Sequence, residues 1–261
     1  MPREWLYGRN PVYEALRAGR RHFFRLRVAE GVRFKGRLGD VLRLAEAYGV
    51  PVEQVPRKML DAVVPANHQG VALEASGYPY ADLEQMWQRA EKGPAPPLFL
   101  LLDTLQDPQN LASLLRTAEA VGVHGVLLPR RRTVTVTPAV VRASSGASEH
   151  LLIGQMNLAQ GIRALQERGV WVVGLEGGPE AEPLERVRLD APLALVVGSE
   201  GEGLRRLTRE TCDVLLRLPM QGRVASLNAA VAGSVALYFV WQARGFTGGN
   251  PASGIDERGE V

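Results

Sequence analysis

Three separated stretches of the sequence combine glycine with amide, hydroxyl, carboxylate and guanidinium side chains. They are DPQNLASLLRTA, VVGSEGEGL and LPMQGRVASLNAAVA, at residues 107–118, 196–204 and 218–232. The side chains that could do chemistry there are Asn110, Arg116, Glu200, Ser226 and Asn228. A guanidinium can bind a phosphate or stabilise a developing oxyanion, and amides and carboxylates can orient its neighbours. Each stretch alone also has a plain structural explanation. Asn110 could only cap the helix that carries Arg116, the glycines could form a tight turn, and Ser226 and Asn228 could cap a core helix.

Each of the three stretches follows a predicted strand. From Leu98 onward, apolar runs such as LFLLLDTL alternate with helical patterns, which predicts an α/β domain with a mostly parallel sheet buried on both faces. Ligands of such sheets bind beyond the carboxyl ends of the strands. The three stretches are therefore expected to meet at one edge of the sheet.

The glycine-rich stretch is not a phosphate-binding loop of a known type. No Gly-Lys-Ser/Thr follows it, and the spacing of Gly198, Gly201 and Gly203 differs from the dinucleotide fingerprint. Glu200 and Glu202 would repel a pyrophosphate. The composition favours a neutral or cationic ligand.

The first part of the chain has a different pattern and a different charge. Residues 1–75 alternate short helical and strand patterns, which predicts a small α/β unit. A linker at 76–97, bounded by proline and glycine, is expected to join it to the domain at 98–244. Residues 245–261 are predicted to be a disordered tail. Residues 1–43 hold eleven Lys and Arg against four acidic residues, a net charge of +7, whereas the whole chain carries +3. Such a segment is typical of an RNA-binding surface, although a solvated face would have the same composition.

Composition excludes several other classes of function. The single cysteine, Cys212, allows no internal disulfide, and the four histidines show no metal-ligand spacing, so we expect no metal. No apolar signal segment is recognisable, and a reducing cytoplasm is the expected location. Residues 225–243 are long enough for a membrane span, but Ser226, Asn228 and Gln242 interrupt them. A buried or dimer-interface helix is expected instead, with no membrane association.

The three stretches, in this order and spacing, resemble the three motifs of the SpoU (TrmH-type) family of RNA ribose 2′-O-methyltransferases, within the knotted SPOUT class. The match covers about residues 98–243. At the N-terminus, YGRNPVYEAL and NHQGVAL resemble the RlmB-like branch, which implies a ribosomal-protein-like RNA-binding domain and a guanosine of 23S rRNA as the target. A tRNA ribose methyltransferase and a non-catalytic RNA-binding or ribosome-assembly protein are the alternatives. Tritiated methyl transfer and calorimetry with S-adenosylmethionine would distinguish them.

The resemblance implies a role for each site residue. The methyl donor S-adenosylmethionine would lie in a trefoil knot, in contact with Gly198, Gly203, Leu218, Ser226 and Leu227. Arg116 would be catalytic, surrounded by Asn110, Glu200, Ser226 and Asn228, and Glu200 is expected to keep the arginine ordered. Whether Arg116 acts as a base or as a charged stabiliser stays open. The expected RNA contacts are Arg9, Arg20, Arg21, Arg25 and Arg27, and a homodimer is expected to form through the last helix.

Overall fold

The computed structural model describes residues 2–65, 67–224 and 226–248 and contains two α/β units. The first holds a four-stranded sheet of order β1-β4-β2-β3, in which only β2 and β3 are parallel. Its elements are β1 (Arg3–Tyr7), α1 (Arg9–Ala18), β2 (Phe23–Ala29), α2 (Arg37–Ala47), β3 (Val52–Val55), α3 (Arg57–Asp61) and β4 (Val71–Ser76). Buried apolar residues of α1 and α2 share one core with this sheet. The predicted small α/β unit is present.

The segment between the two units is more than a flexible connection. It contains α4 (Leu83–Lys92), which begins with a capping box: the Asp82 side chain accepts from the Gln85 backbone, and the Gln85 side chain accepts from the Asp82 backbone. Met86 on this helix is fully buried in the core of the second unit, together with Phe99. The predicted linker at 76–97 is therefore packed on the second unit over much of its length.

The second unit is a seven-stranded sheet of order β7-β6-β5-β10-β8-β11-β9, and every neighbouring pair in it is parallel. Its strands are β5 (Leu98–Leu102), β6 (Gly125–Leu128), β7 (Ile153–Gln155), β8 (Trp171–Leu175), β9 (Glu182–Pro183), β10 (Leu193–Val197) and β11 (Val214–Arg217). Its helices are α5 (Pro108–Ala120), α6 (Pro138–Ala143), α7 (Leu158–Gln166), α8 (Arg206–Thr211) and α9 (Ala229–Ala243).

Burial on both faces explains the continuous apolar strands. All five residues of β5 are buried, with Leu98, Leu100 and Leu102 in one core and Phe99 and Leu101 in the other. Successive side chains of a strand point to opposite faces, so each face needs its own layer of helices. The prediction of a mostly parallel sheet buried on both sides is confirmed.

The last helix, α9, packs on the sheet through its small residues. A methyl group at Gly233 would lie 2.7 Å from the Leu114 side chain and 3.0 Å from that of Val197, so only glycine permits this approach. Among the residues that the structure describes, no helix has both the length and the apolar character of a membrane span. The predicted knot and domain limits stay predictions, and the predicted tail lies outside the described residues from residue 249 onward.

Candidate active site

A cavity of about 260 Å³ lies at the carboxyl ends of β8, β10 and β11. All five residues that were expected to contact the methyl donor line it, namely Gly198, Gly203, Leu218, Ser226 and Leu227. The second and third motifs thus meet at one edge of the parallel sheet, where ligands of such sheets bind.

The glycine-rich motif forms a tight loop that makes one wall of the cavity. Ser199 and Gly203 exchange two backbone hydrogen bonds of 3.0 and 3.1 Å, and Gly201 and Gly203 have left-handed φ values of 85° and 66°. Gly198 lies against the end of this loop, where an added methyl group would be 2.6 Å from the Leu204 amide nitrogen and nearer still to the Gly203 carbonyl. The close approach of two backbone segments accounts for the glycine at position 198.

The first motif joins this cavity through a hydrogen-bonded cluster of three side chains. Asn110 donates to Glu200 Oε1 at 2.6 Å, and Asn228 Nδ2 donates to Asn110 Oδ1 at 3.2 Å and also to Glu200 Oε1. Asn228 Oδ1 accepts from the backbone of Ala230 at 2.9 Å and so caps α9. The cluster ties together the three motifs, which are far apart along the chain.

Two expectations about this cluster were wrong. The cap of α5 is Asp107, whose Oδ1 accepts from the Gln109 backbone at 2.9 Å, because Pro108 fixes the first helical position and leaves Asn110 inside the helix. Glu200 makes its side-chain hydrogen bonds to Asn110 and Asn228 rather than to Arg116. Among the described residues, no direct hydrogen bond therefore supports the expected ordering of Arg116 by Glu200.

Arg116 lies on α5 outside the cavity and is exposed to solvent. Six residues separate it from Asn110, which places it about 9 Å further along the helix and on a different face. Its Nη1 lies 3.5 Å from Ser145 Oγ, at the outer limit of a hydrogen bond. No carboxylate pairs with it among the described residues. Arg116 is therefore accessible to an anion from solvent.

Glu176 and Met220 are among the residues lining the cavity that sequence reasoning missed. Glu176 follows β8, and its carboxylate lies about 3.2 Å from where a methyl group on Gly203 would be. Its position directly after a buried strand is a signal that could have identified it, since β8 ends at the same sheet edge as β10. Glu176 and Glu200 give the cavity two carboxylates, as a cationic ligand would require.

The five arginines expected to contact RNA are in two different environments. Arg9, Arg25 and Arg27 lie on the first unit, and Arg25 and Arg27 form ion pairs of 2.7 and 3.0 Å with Glu74 and Glu53. These pairs reduce the net positive charge of that face, although the Arg9 and Arg25 side chains keep contact with solvent.

Arg20 and Arg21 lie instead where the two units meet. Arg21 is buried and makes a two-pronged pair with Glu149, at 2.6 and 2.7 Å, and a further pair with Glu4. Arg20 donates to the carbonyls of Pro79 and Glu149 at 3.1 and 3.2 Å. In this arrangement their donors are used within the protein, which favours a structural role, and their predicted role as RNA contacts stays a prediction.

This architecture defines a class: a parallel α/β domain with an acidic cavity at its strand ends, joined to a smaller arginine-rich α/β domain. Residues 97–238 match the model of the SpoU rRNA Methylase family, and residues 5–81 match that of the RNA 2′-O ribose methyltransferase substrate-binding domain. The chain belongs to the SpoU family of RNA methyltransferases. The described residues contain no cluster of side chains suited to hold a metal ion.

Similar proteins extend over nearly the whole chain. A Bacillus subtilis protein named TrmH family tRNA/rRNA methyltransferase YacO is 43% identical, with 92% of this chain and 96% of that protein covered. A Staphylococcus haemolyticus TrmH family protein is 41% identical, covering 94% and 98%. The AdoMet complex of AviRb from Streptomyces viridochromogenes has the same fold, with a TM-score of 0.77, 22% identity and coverage of 93% and 90%. An AdoMet-bound rRNA methyltransferase from Sinorhizobium meliloti has a TM-score of 0.75, 25% identity and coverage of 92% and 87%.

Proposed function

We propose that the protein transfers a methyl group from S-adenosylmethionine to a ribose 2′-hydroxyl of RNA, with a guanosine of 23S rRNA as the target. The observation that carries the proposal is that the second and third motifs line one cavity, to which the hydrogen bonds of Asn110 join the first motif. The N-terminal match to a 2′-O-ribose methyltransferase substrate-binding domain supports ribose as the acceptor. The reducing cytoplasm, where rRNA is made, is the corresponding location for a chain with one free thiol.

The cavity suits S-adenosylmethionine in shape and charge. The loop at Gly198 brings backbone groups to its wall, and Leu218 and Leu227 supply apolar surface. Glu176 and Glu200 offer two carboxylates to a positively charged sulfonium group. When bound, the donor supplies an electrophilic methyl group.

The protein residues then align the ribose 2′-oxygen with this methyl group and assist the loss of its proton. Asn110, Glu200 and Asn228 hold the three motifs in register, which fixes the cavity relative to α5. Arg116, exposed outside the cavity, binds an RNA phosphate and so orients the ribose 2′-oxygen toward the donor methyl group. Without a carboxylate partner among the described residues, the guanidinium has donors available for a phosphate, which favours this role over that of a base.

RNA would lie across both units. Arg9 and Arg25 offer phosphate contacts on the first unit. On the second, a cleft of about 320 Å³ beyond β6 and β7 is lined by Arg130, Arg131 and Arg205. Phosphate contacts position RNA without reading its bases, and they weaken steeply as salt rises. A salt-independent RNA affinity would contradict this arrangement.

Methyl transfer from tritiated S-adenosylmethionine tests the proposal. We expect label in 23S rRNA at a linkage that resists alkali, since a 2′-O-methyl group blocks hydrolysis of the adjacent phosphodiester. Arg116→Ala should reduce turnover at least 100-fold while calorimetry shows donor binding within about threefold of wild type. Label confined to tRNA would favour the alternative substrate. Donor binding without transfer to any RNA would favour a non-catalytic RNA-binding protein.

The exposed face of α9 supports a homodimer. Val231, Val235 and Tyr238 on this helix are 49%, 37% and 47% exposed, and an apolar cleft of about 370 Å³ runs beside Tyr238 and Phe246. An apolar face of this kind is typical of a protein interface. Sedimentation should give a dimer that Tyr238→Glu converts to a monomer. A monomeric wild-type protein at micromolar concentration would contradict this part of the proposal.

A further inference from the structure

One short segment of the second unit contacts both Arg116 and the first unit. It comprises residues 144–150, which follow α6, and is called the coupling segment below. Ser145 Oγ lies 3.5 Å from Arg116 Nη1 on one side. On the other side, Glu149 forms the buried pair with Arg21, and His150 Nε2 lies 2.8 Å from Glu14 Oε2 of α1. Within the described residues, Ser145 is the side chain that lies within hydrogen-bonding distance of the Arg116 guanidinium.

The backbone of the coupling segment is fixed by close packing against the first unit. Gly146 has a φ of 88°, and a methyl group there would lie 2.6 Å from Glu14 Cβ and 3.2 Å from Pro11 Cα. Helix α1 therefore rests directly on this glycine. Any shift of α1 relative to the second unit must move residue 146 and its neighbour Ser145.

The interior of the segment is fully hydrogen bonded to its surroundings. Buried Ser144 donates to the Val141 carbonyl at 3.1 Å, and the Tyr78 hydroxyl lies 3.0 Å from the Ser148 carbonyl and 2.7 Å from that of Leu151. Tyr78 comes from the end of the first unit and is itself buried. Such networks hold their members in a single arrangement. The coupling segment is therefore expected to move as a unit with the first unit of the protein rather than to deform.

Ser145 adopts a backbone conformation that serine rarely takes. Its φ is 57°, in the left-handed region, which costs a non-glycine residue about 1 kcal/mol. Glycine or asparagine would suit this position better on backbone grounds alone. Serine at this position keeps the backbone strain, but its hydroxyl lies 3.5 Å from the Arg116 guanidinium.

We propose that Ser145 is a positioning residue for Arg116 and that the coupling segment sets the guanidinium relative to the docked first unit. RNA bound to the first unit is thereby held at a fixed position relative to Arg116, which binds its phosphate. The inference rests on the proposed function for the role of Arg116, but the contacts themselves do not depend on it.

Two substitutions at Ser145 test the positioning role. Ser145→Gly removes the hydroxyl and relieves the backbone strain, so the fold should be kept. We expect kcat to fall about five- to tenfold, the value of one modest hydrogen bond, with the KM for S-adenosylmethionine unchanged. Ser145→Asn tolerates the left-handed backbone and restores an acceptor, so it should recover at least half of the wild-type kcat. A Ser145→Gly kcat within twofold of wild type, or an equal loss in Ser145→Asn, would overturn the proposal.

A readout without catalysis separates this proposal from the proposed function. The side-chain Nε–H resonance of Arg116, assigned by its loss in Arg116→Lys, reports the mobility of the guanidinium in nitrogen relaxation measurements. We expect faster motion in Ser145→Gly than in wild type. If the wild-type protein methylates no RNA but this difference is seen, only the proposed function fails. If methylation is found and the mobility is unchanged, only the positioning role fails.

A matched pair of ion-pair variants tests the anchor. Glu149→Gln weakens the buried pair that holds the coupling segment, whereas Glu74→Gln weakens a more exposed pair with Arg25 of nearly the same length, 2.7 against 2.6 Å, away from the segment. Both should lower the unfolding midpoint, but only Glu149→Gln should lower kcat at saturating RNA, by at least threefold. Glu14→Gln, at the more exposed His150 contact, serves if Glu149→Gln does not fold. Equal kcat losses in the Glu149 or Glu14 variant and in Glu74→Gln would refute the anchor.

Discussion

Gly198→Ala should damage the donor cavity without touching any charged group. The added methyl group would lie 2.6 Å from the Leu204 nitrogen, whereas ordinary contacts begin near 3.4 Å, so the facing backbone must retreat by at least 0.8 Å. The three opposing atoms nearest to it all belong to the backbone of Gly203 and Leu204, so no side-chain rotation can relieve the clash. The retreat also strains the two hydrogen bonds between Ser199 and Gly203.

The cost can be estimated from these contacts. Overpacking of this kind destabilises a protein by about 1–3 kcal/mol, and weakening the loop's two hydrogen bonds adds about 1 kcal/mol. Because Gly198 and the displaced loop both line the cavity, we expect the Kd for S-adenosylmethionine to rise at least tenfold. The midpoint of urea unfolding should fall at the same time.

Titration calorimetry and urea unfolding measure both effects. Gly177→Ala is the matched control, because Gly177 lines the same cavity but an added methyl group there meets no protein atom within 4 Å. The control should keep its unfolding midpoint. A Gly198→Ala protein with wild-type donor affinity and an unchanged midpoint would refute the close approach of the two backbone segments.

Three further predictions concern groups away from the cavity. Burial raises the pKa of the Cys212 thiol to about 12. Iodoacetamide at pH 8 should therefore label the folded protein about 10³-fold more slowly than the unfolded protein, and comparable labelling rates would contradict this burial. Arg244 donates to the carbonyls of Pro96 and Ala191 at 2.7 Å each, and Arg244→Met should lower the free energy of unfolding by about 2 kcal/mol in urea titrations, with Arg244→Lys in between. Burial lowers the pKa of His124 below its unfolded value of about 6.5, so its contribution to stability is complete above that pH and is lost as pH falls toward the folded pKa. His124→Asn should therefore flatten unfolding stability between pH 7.5 and 5.5, whereas an identical slope in this variant and in the exposed-histidine control His22→Asn would oppose it.

Local patterns predicted the elements of the fold better than their arrangement. The apolar run at Leu98–Leu102 indicated a strand buried on both faces because that property depends only on local composition. The order of the seven strands depends on which edges pair in space, and no short-range pattern contains that information. The capping of α5 was misjudged although Asp107-Pro108 carried the necessary signal, since both Asp107 and Asn110 are residue types that cap helices.

In the candidate site, too, some features follow from local sequence patterns and others depend on packing in space. Spacing after strands placed Gly198, Ser226 and Leu227 at one sheet edge, because parallel strands end together. Spacing could not predict that Arg21 would be buried, because its burial comes from the docking of the two units and not from its own sequence neighbours. A basic segment thus predicts a charged surface only for those residues that domain packing leaves exposed.

The hydrogen bonds of Asn228 show that the structural interpretation of the third motif, as a helix cap, is compatible with the functional one. Its Oδ1 caps α9, while its Nδ2 reaches the Glu200 carboxylate and Asn110. Helix capping requires an acceptor and the bridge to the other motifs requires a donor. Asparagine supplies both from two separate atoms, whereas ionised aspartate only accepts and serine would have to do both from a single oxygen. The same side chain therefore fixes where α9 starts and holds the cavity wall against α5. A protein that needs both functions at one position has little freedom to substitute the residue, even though neither function alone demands asparagine.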